Sequence, residues 1–154
     1  MKKFVFSMAL VLTTILFVTG CGSSEKITCT LESDQSASGY KLKSEYVIYS
    51  DGEVVSKVET TETVESTNNT VLAYFEKTLK EQYKTNNDKY KGYDYEVTNK
   101  DGKVVSSVTI DYSKMNLNKF IEDNEAMKSF VNSDNKLTVK GVKSMYESVG
   151  ATCK

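Results

Sequence analysis

The chain has no histidine, proline or tryptophan, and every one of its 20 basic side chains is lysine, arginine being absent. Each gap removes a class of chemistry. Without histidine there is no Ser-His or Cys-His nucleophile pair, no imidazole general base and no ordinary zinc site. Without arginine there is no bidentate clamp for phosphate or carboxylate. The 20 basic residues meet 21 acidic ones, for a net charge of −1, which is not the footprint of a nucleic-acid binder. No cofactor and no metal site are expected. Cysteine is scarce, with three residues at Cys21, Cys29 and Cys153.

Long apolar runs are also scarce, and the one present stands at the start. Lys2 and Lys3 precede Phe4 to Val18, almost without polar interruption, and Val18-Thr19-Gly20 leads into Cys21. At about 15 residues the run has signal length, short of the roughly 20 that a permanent membrane helix needs. Small Gly20 beside Cys21 suits a peptidase. This stretch resembles the signal and lipobox of bacterial lipoproteins. The resemblance implies that Cys21 receives a diacylglyceryl group and becomes the mature N-terminus. Residues 1–20 are then the signal peptide, 21–26 a lipidated tether and 27–154 one extracytoplasmic domain on the cell-membrane surface. Two or more acyl chains anchor a protein stably, whereas one does not. Losing Lys2 and Lys3 from the 20 basic residues, against 21 acidic ones, brings the net charge to −3.

With Cys21 assigned to lipid, Cys29 and Cys153 remain, one near each end of the domain. In an exported protein such a pair reads as a disulfide, with two separate thiols as the alternative. Ile27, Cys29 and Leu31 alternate with Thr28 and Thr30, the period of a half-buried strand. Tyr40, Leu42, Tyr46 and Ile48 form a second strand face, closed at Ser50-Asp51-Gly52-Glu53, where Asp-Gly supplies the positive φ of a tight hairpin turn. The return strand places Val54, Val58 and Val64 on its dry face. From Ser66–Thr70 onward the period becomes helical, through Val71, Leu72, Phe75, Leu79 and Tyr83, until Thr85–Gly92 breaks it.

A second hairpin follows. Tyr93, Tyr95 and Val97 alternate up to a turn at Asn99–Gly102, and Val104, Val108, Ile110 and Tyr112 return. Asp51–Val58 and Asp101–Val108 lie fifty residues apart with nearly the same sequence, and each precedes a helix, so the pattern is hairpin–helix twice. Asn116 caps a helix carrying Leu117, Phe120 and Ile121, and Met127, Phe130 and Val131 extend the apolar face. Thr138 caps a last helix whose Val139, Val142, Met145, Tyr146 and Val149 share one side, and Gly150 ends it. The expected fold is therefore a two-layer α+β domain, an antiparallel sheet of about five strands with helices packed on one face.

Val108-Thr109-Ile110-Asp111 with the Leu117–Phe120 helix, and Leu137-Thr138-Val139 through Val149-Gly150, resemble the YehR-like family of bacterial lipoproteins. The resemblance runs from about Val47 to Gly150. It implies the lipoprotein and α+β readings and brings no catalytic residues.

The candidate ligand site is the stretch from Tyr83 to Glu96, where Tyr83 and Tyr90 lie near Asp88 and Asp94 in sequence, with Tyr93, Tyr95 and Glu96 beside them. Tyrosines among carboxylates suit a sugar or peptide groove, although Tyr93 and Tyr95 are also explained as inward strand residues. The leading reading is a surface-anchored binding or interaction module. It takes a protein or small-molecule ligand, holds the membrane through its lipid, and is not an enzyme. The alternatives are a structural envelope-maintenance lipoprotein and a carboxylate-dependent cell-wall glycan hydrolase, a chemistry that needs no histidine.

Overall fold

The structure is a computed structural model that describes residues 24–154. The expected signal, Cys21 and the first part of the expected tether lie outside the described residues. Strand β1 (Ser24–Gln35) takes up the rest of the tether, since it starts three residues earlier than the pattern predicts. It is followed by β2 (Tyr40–Asp51), β3 (Val54–Glu65), α1 (Asn69–Lys89), β4 (Tyr93–Lys100), β5 (Lys103–Asp111), α2 (Leu117–Asp123), α3 (Val139–Ser148) and β6 (Thr152–Cys153). The strands form one antiparallel sheet in the order β4-β5-β3-β2-β1-β6. This is the two-layer α+β architecture, with a sixth strand that two residues are too short to announce in sequence. None of the described helices is long and apolar enough to cross a membrane.

The alternation of apolar residues decides which face is dry. Ile48, Val58, Val104 and Val108 point to one side, where they meet Leu72 and Tyr83 of α1, Phe120 of α2 and Val142 of α3. On the opposite face lysines pair with carboxylates across strands, as in Lys43–Glu32 at 3.0 Å and Lys103–Glu65 at 2.7 Å. Such exposed pairs keep an uncovered face soluble and add little stability.

β6 exists because Cys29 and Cys153 are direct cross-strand partners, and the two form a disulfide. Two backbone hydrogen bonds between Thr28 and Lys154 extend the ladder past it.

Local sequence sets most helix ends. Asn68, Asn116 and Thr138 each accept a hydrogen bond from a first-turn amide, satisfying donors that the helix leaves free. Gly150 (φ +95°) takes the left-handed conformation just past α3.

The pattern misplaces three features. The break expected at Thr85–Gly92 comes late, because α1 runs on to Lys89 and its Asn86, Asn87 and Asp88 are helical. Asp88 there accepts from Lys84 one turn earlier at 2.6 Å, a contact that favours continuing the helix. Val149, expected on the buried side of α3, is 60% exposed because the helix ends one residue before it and the chain turns away. Val54 yields its core place to Val55, which is 2% exposed. The cause is a bulge: Tyr49 faces Lys57 and Ser50 faces Val55, so Ser56 has no partner and the phase of β3 shifts by one.

Candidate functional site

One row of the inner sheet face breaks the apolar pattern. Across β5, β3 and β2 the register places Ser106, Glu62 and Ser44 side by side, with Val97 on β4 and Leu31 on β1 at its ends. The next row reads Tyr95, Val108, Thr60, Tyr46 and Cys29. A carboxylate thus sits at the middle of the helix-covered face, between two serines that are fully buried at 0% and 1% exposure.

The helices supply the walls. α1 packs over β3, β4 and β5, while α3 packs over β1, β3 and β6. The strip between them leaves Leu31, Leu42, Tyr46, Thr60 and Glu62 half-buried instead of sealed. From α1, the Tyr83 hydroxyl donates to Glu62 Oε2 at 2.7 Å. From α3, Tyr146 stacks on Tyr46 with ring centroids 4.0 Å apart and planes 20° from parallel. The Ser44 and Ser106 hydroxyls lie toward the phenols of Tyr46 and Tyr83 without completing a hydrogen bond, and both are without any partner. Buried hydroxyls normally find one. Ser50, the third such hydroxyl among the described residues, lies at the other end of the sheet.

The electrostatics mark this strip. Burial pushes the Tyr83 and Tyr146 phenols well above their ordinary range, and the Glu62 charge adds to it. Tyr46 and Tyr93 move the same way for the same two reasons. These phenols therefore stay protonated, and that of Tyr83 donates to Glu62. The other β3 carboxylates behave differently. Glu59 accepts from Lys57 at 2.7 Å and from Tyr49 at 2.8 Å, and Glu65 pairs with Lys103 at 2.7 Å. Among the described residues no lysine comes within 4.0 Å of Glu62.

Of the residues singled out in sequence, Tyr83 belongs to this strip and the other three lie elsewhere. Tyr90 is buried at the end of α1, donates to Asp123 at 3.1 Å and meets Phe120 edge-on. Asp88 is exposed beside Lys84. Asp94 is exposed and pairs with Thr109, whose neighbour in the register is Glu59, on the uncovered face of the sheet. Tyr93 and Tyr95 do face inward, and Glu96 faces out. Tyrosine and carboxylate crowding does not single out Glu62, Ser44 and Ser106, but a signal exists: Glu62 has the same parity as Val58 and Val64, so alternation alone directs it inward. Among the described residues, no three His, Cys, Asp or Glu side chains converge as a metal site would require.

No family model matches the chain, and no curated protein matches it. Among solved structures, the chain is similar to Escherichia coli YehR, with 14% identity, a TM-score of 0.53, and coverage of 85% of this chain and 92% of YehR. The fold is YehR-like. A protein from Streptococcus pneumoniae TIGR4 also aligns, at 15% identity and a TM-score of 0.49, over 100% of this chain and 97% of its own. At such identities the YehR-like fold says how the sheet and helices are arranged and leaves the Glu62 strip to be judged on its own geometry.

Proposed function

We propose that this chain is an extracytoplasmic lipoprotein, anchored to the membrane through Cys21, that binds a ligand in the gap between α1 and α3 and does not chemically alter it. The observation that carries the binding site is the row Ser44–Glu62–Ser106. The two buried hydroxyls have no partner, and Glu62, half-buried, accepts from Tyr83 at one oxygen and keeps acceptor capacity for a donor that a ligand would bring. Phenols held neutral beside them recognise a ligand well but do not shuttle protons near neutral pH, which favours binding over catalysis. The anchor rests on Lys2, Lys3, the apolar run and Gly20-Cys21.

A thermal-shift screen of the full chain in neutral detergent, against sugars, wall fragments, peptides and lipids, tests the binding half. A ligand present at 100 times its Kd adds about 2.7 kcal/mol to stability. The shift is expected to shrink in both Glu62→Gln and Ser44→Val. A panel that shifts nothing, or a shift that both variants retain, counts against the site. For the anchor, Cys21→Ala is expected to release the protein from membranes and remove the lipid mass from its N-terminal peptide, and retention of that mass would refute it.

A further inference from the structure

We infer that the ligand of this gap carries an organic ammonium group, held by Glu62 and enclosed by the rings of Tyr46, Tyr83 and Tyr146. The inference rests on the binding reading above and adds the chemical class. Its first support is a contrast along one strand. Glu59 and Glu65 each have a lysine at 2.7 Å, whereas Glu62, on the covered face, has a phenol and no cation among the described residues. A carboxylate removed from water loses hydration, and a cation restores the balance most fully.

The second support is what surrounds the charge. Phenol rings carry negative faces that attract a cation, and a ring cage around a carboxylate is selective for alkylammonium groups over neutral polar ones. Tyr46, Tyr83, Tyr93 and Tyr146 all lie close enough to feel the Glu62 charge. The third is the pair of serines. Each stands one strand from Glu62, about 5 Å away. An ammonium group offers three N–H donors, so one bound to Glu62 has another to offer a neighbouring Ser hydroxyl. The partner-free hydroxyls at 0% and 1% exposure are acceptors of that kind. No lysine of the strip competes, since the cross-strand lysines point to the other face.

The test is an NMR titration of the full chain in neutral detergent with n-butylammonium, and with butan-1-ol as the uncharged probe of the same length. Butylammonium is expected to give saturable shifts at Glu62, Ser44, Ser106 and Tyr146, and butan-1-ol none. Glu62→Gln is expected to weaken binding about tenfold, the scale of a charge-assisted contact. Tyr146→Leu, which keeps an apolar side chain on Tyr46, should weaken it about threefold. Equal binding of both probes in the gap would overturn the ammonium assignment while leaving the binding site in place. Butylammonium shifts confined to other surfaces, or unchanged in Glu62→Gln, would also overturn it. If neither probe nor any compound of the thermal-shift panel perturbs the gap, both readings fall together.

Discussion

The β2–β3 and β4–β5 hairpins share a nearly identical stretch, Asp51–Val58 and Asp101–Val108, and fold it differently. In the first, Asp51 pairs with Val54, so the two-residue loop is Gly52-Glu53 and only Gly52 has positive φ (+57°), the pattern of a type II′ turn. In the second, Lys100 pairs with Lys103, so the loop is Asp101-Gly102, and both residues have positive φ (+53° and +75°), as in a type I′ turn. The same Asp-Gly has slid by one position. Consequently Val104 is fully buried while its counterpart Val54 is not, and Val55 is buried while Val105 is not. The bulge at Ser56 cancels the slip, so that Val58 and Val108 both reach the core. The repeat offset also maps Glu59 onto Thr109, which are direct partners across β3 and β5, placing a local two-fold between the hairpins. Equal residues do not ensure equal register; the turn chooses one, and a bulge repairs the difference.

The two hairpins also differ in their support, which gives the largest expected effect. The first leads into β1, tied by the disulfide to β6, whereas the second ends at the open edge strand β4. Cys153→Ser should lower stability by about 5 kcal/mol on the chain-entropy view of so long a loop. Amide exchange in β1 and β2 should quicken more than in β4 and β5. Uniform acceleration would show that the edges are not independent.

A smaller effect separates the matched valines. Val104→Ala and Val55→Ala should each cost about 2 kcal/mol in urea unfolding, from lost burial and the cavity left behind, whereas Val54→Ala and Val105→Ala should cost under about 1 kcal/mol. Equal costs within either matched pair would erase the distinction between the registers.

The smallest effect is on acid stability. In the first hairpin, hydrogen bonds from Lys57 and Tyr49 hold the Glu59 carboxyl below its usual range. In the second, Lys114 and Ser113 do the same for Asp111. A lowered folded pKa means stability that is present above the unfolded value, about 4, and is lost as pH falls through the folded one. Both hairpins should therefore loosen only below about pH 4. Glu59→Gln should flatten that fall and Val54→Ala should not, as read from melting temperature against pH. An unchanged slope in Glu59→Gln would place the acid sensitivity elsewhere.

These contrasts show what can be read from sequence. Periodicity locates every long strand and all three helices, and the caps at Asn116, Thr138 and Gly150 follow from residue type. The Cys29 and Cys153 pairing is legible from count and position, since Cys21 is the one other cysteine and the two stand near opposite ends of the domain, although the strand that holds Cys153 is not. Val54 is misread because a bulge is a tertiary adjustment: both copies begin Val-Val-Ser, and the change from Lys57 to Ser107 carries no bulge signal of its own. Tyrosines crowd in sequence between Tyr83 and Tyr95, but register gathers the strip from β2, β3, β5, α1 and α3. Asp94 and Tyr93 are neighbours in sequence and lie on opposite sheet faces, which is the cost of ignoring parity.

β1 has a mechanical consequence. It enters the sheet at Ser24 and pairs with β2 over its whole length, from Ser24 with Asp51 to Gln35 with Tyr40. A load arriving from the residues before Ser24 runs along the strand axis and strains those backbone bonds together, in shear, instead of opening them one at a time. The Cys29 cross-link meets the same load five residues in and shares it with the neighbouring edge strand β6. The domain is built to be pulled from that end without unzipping.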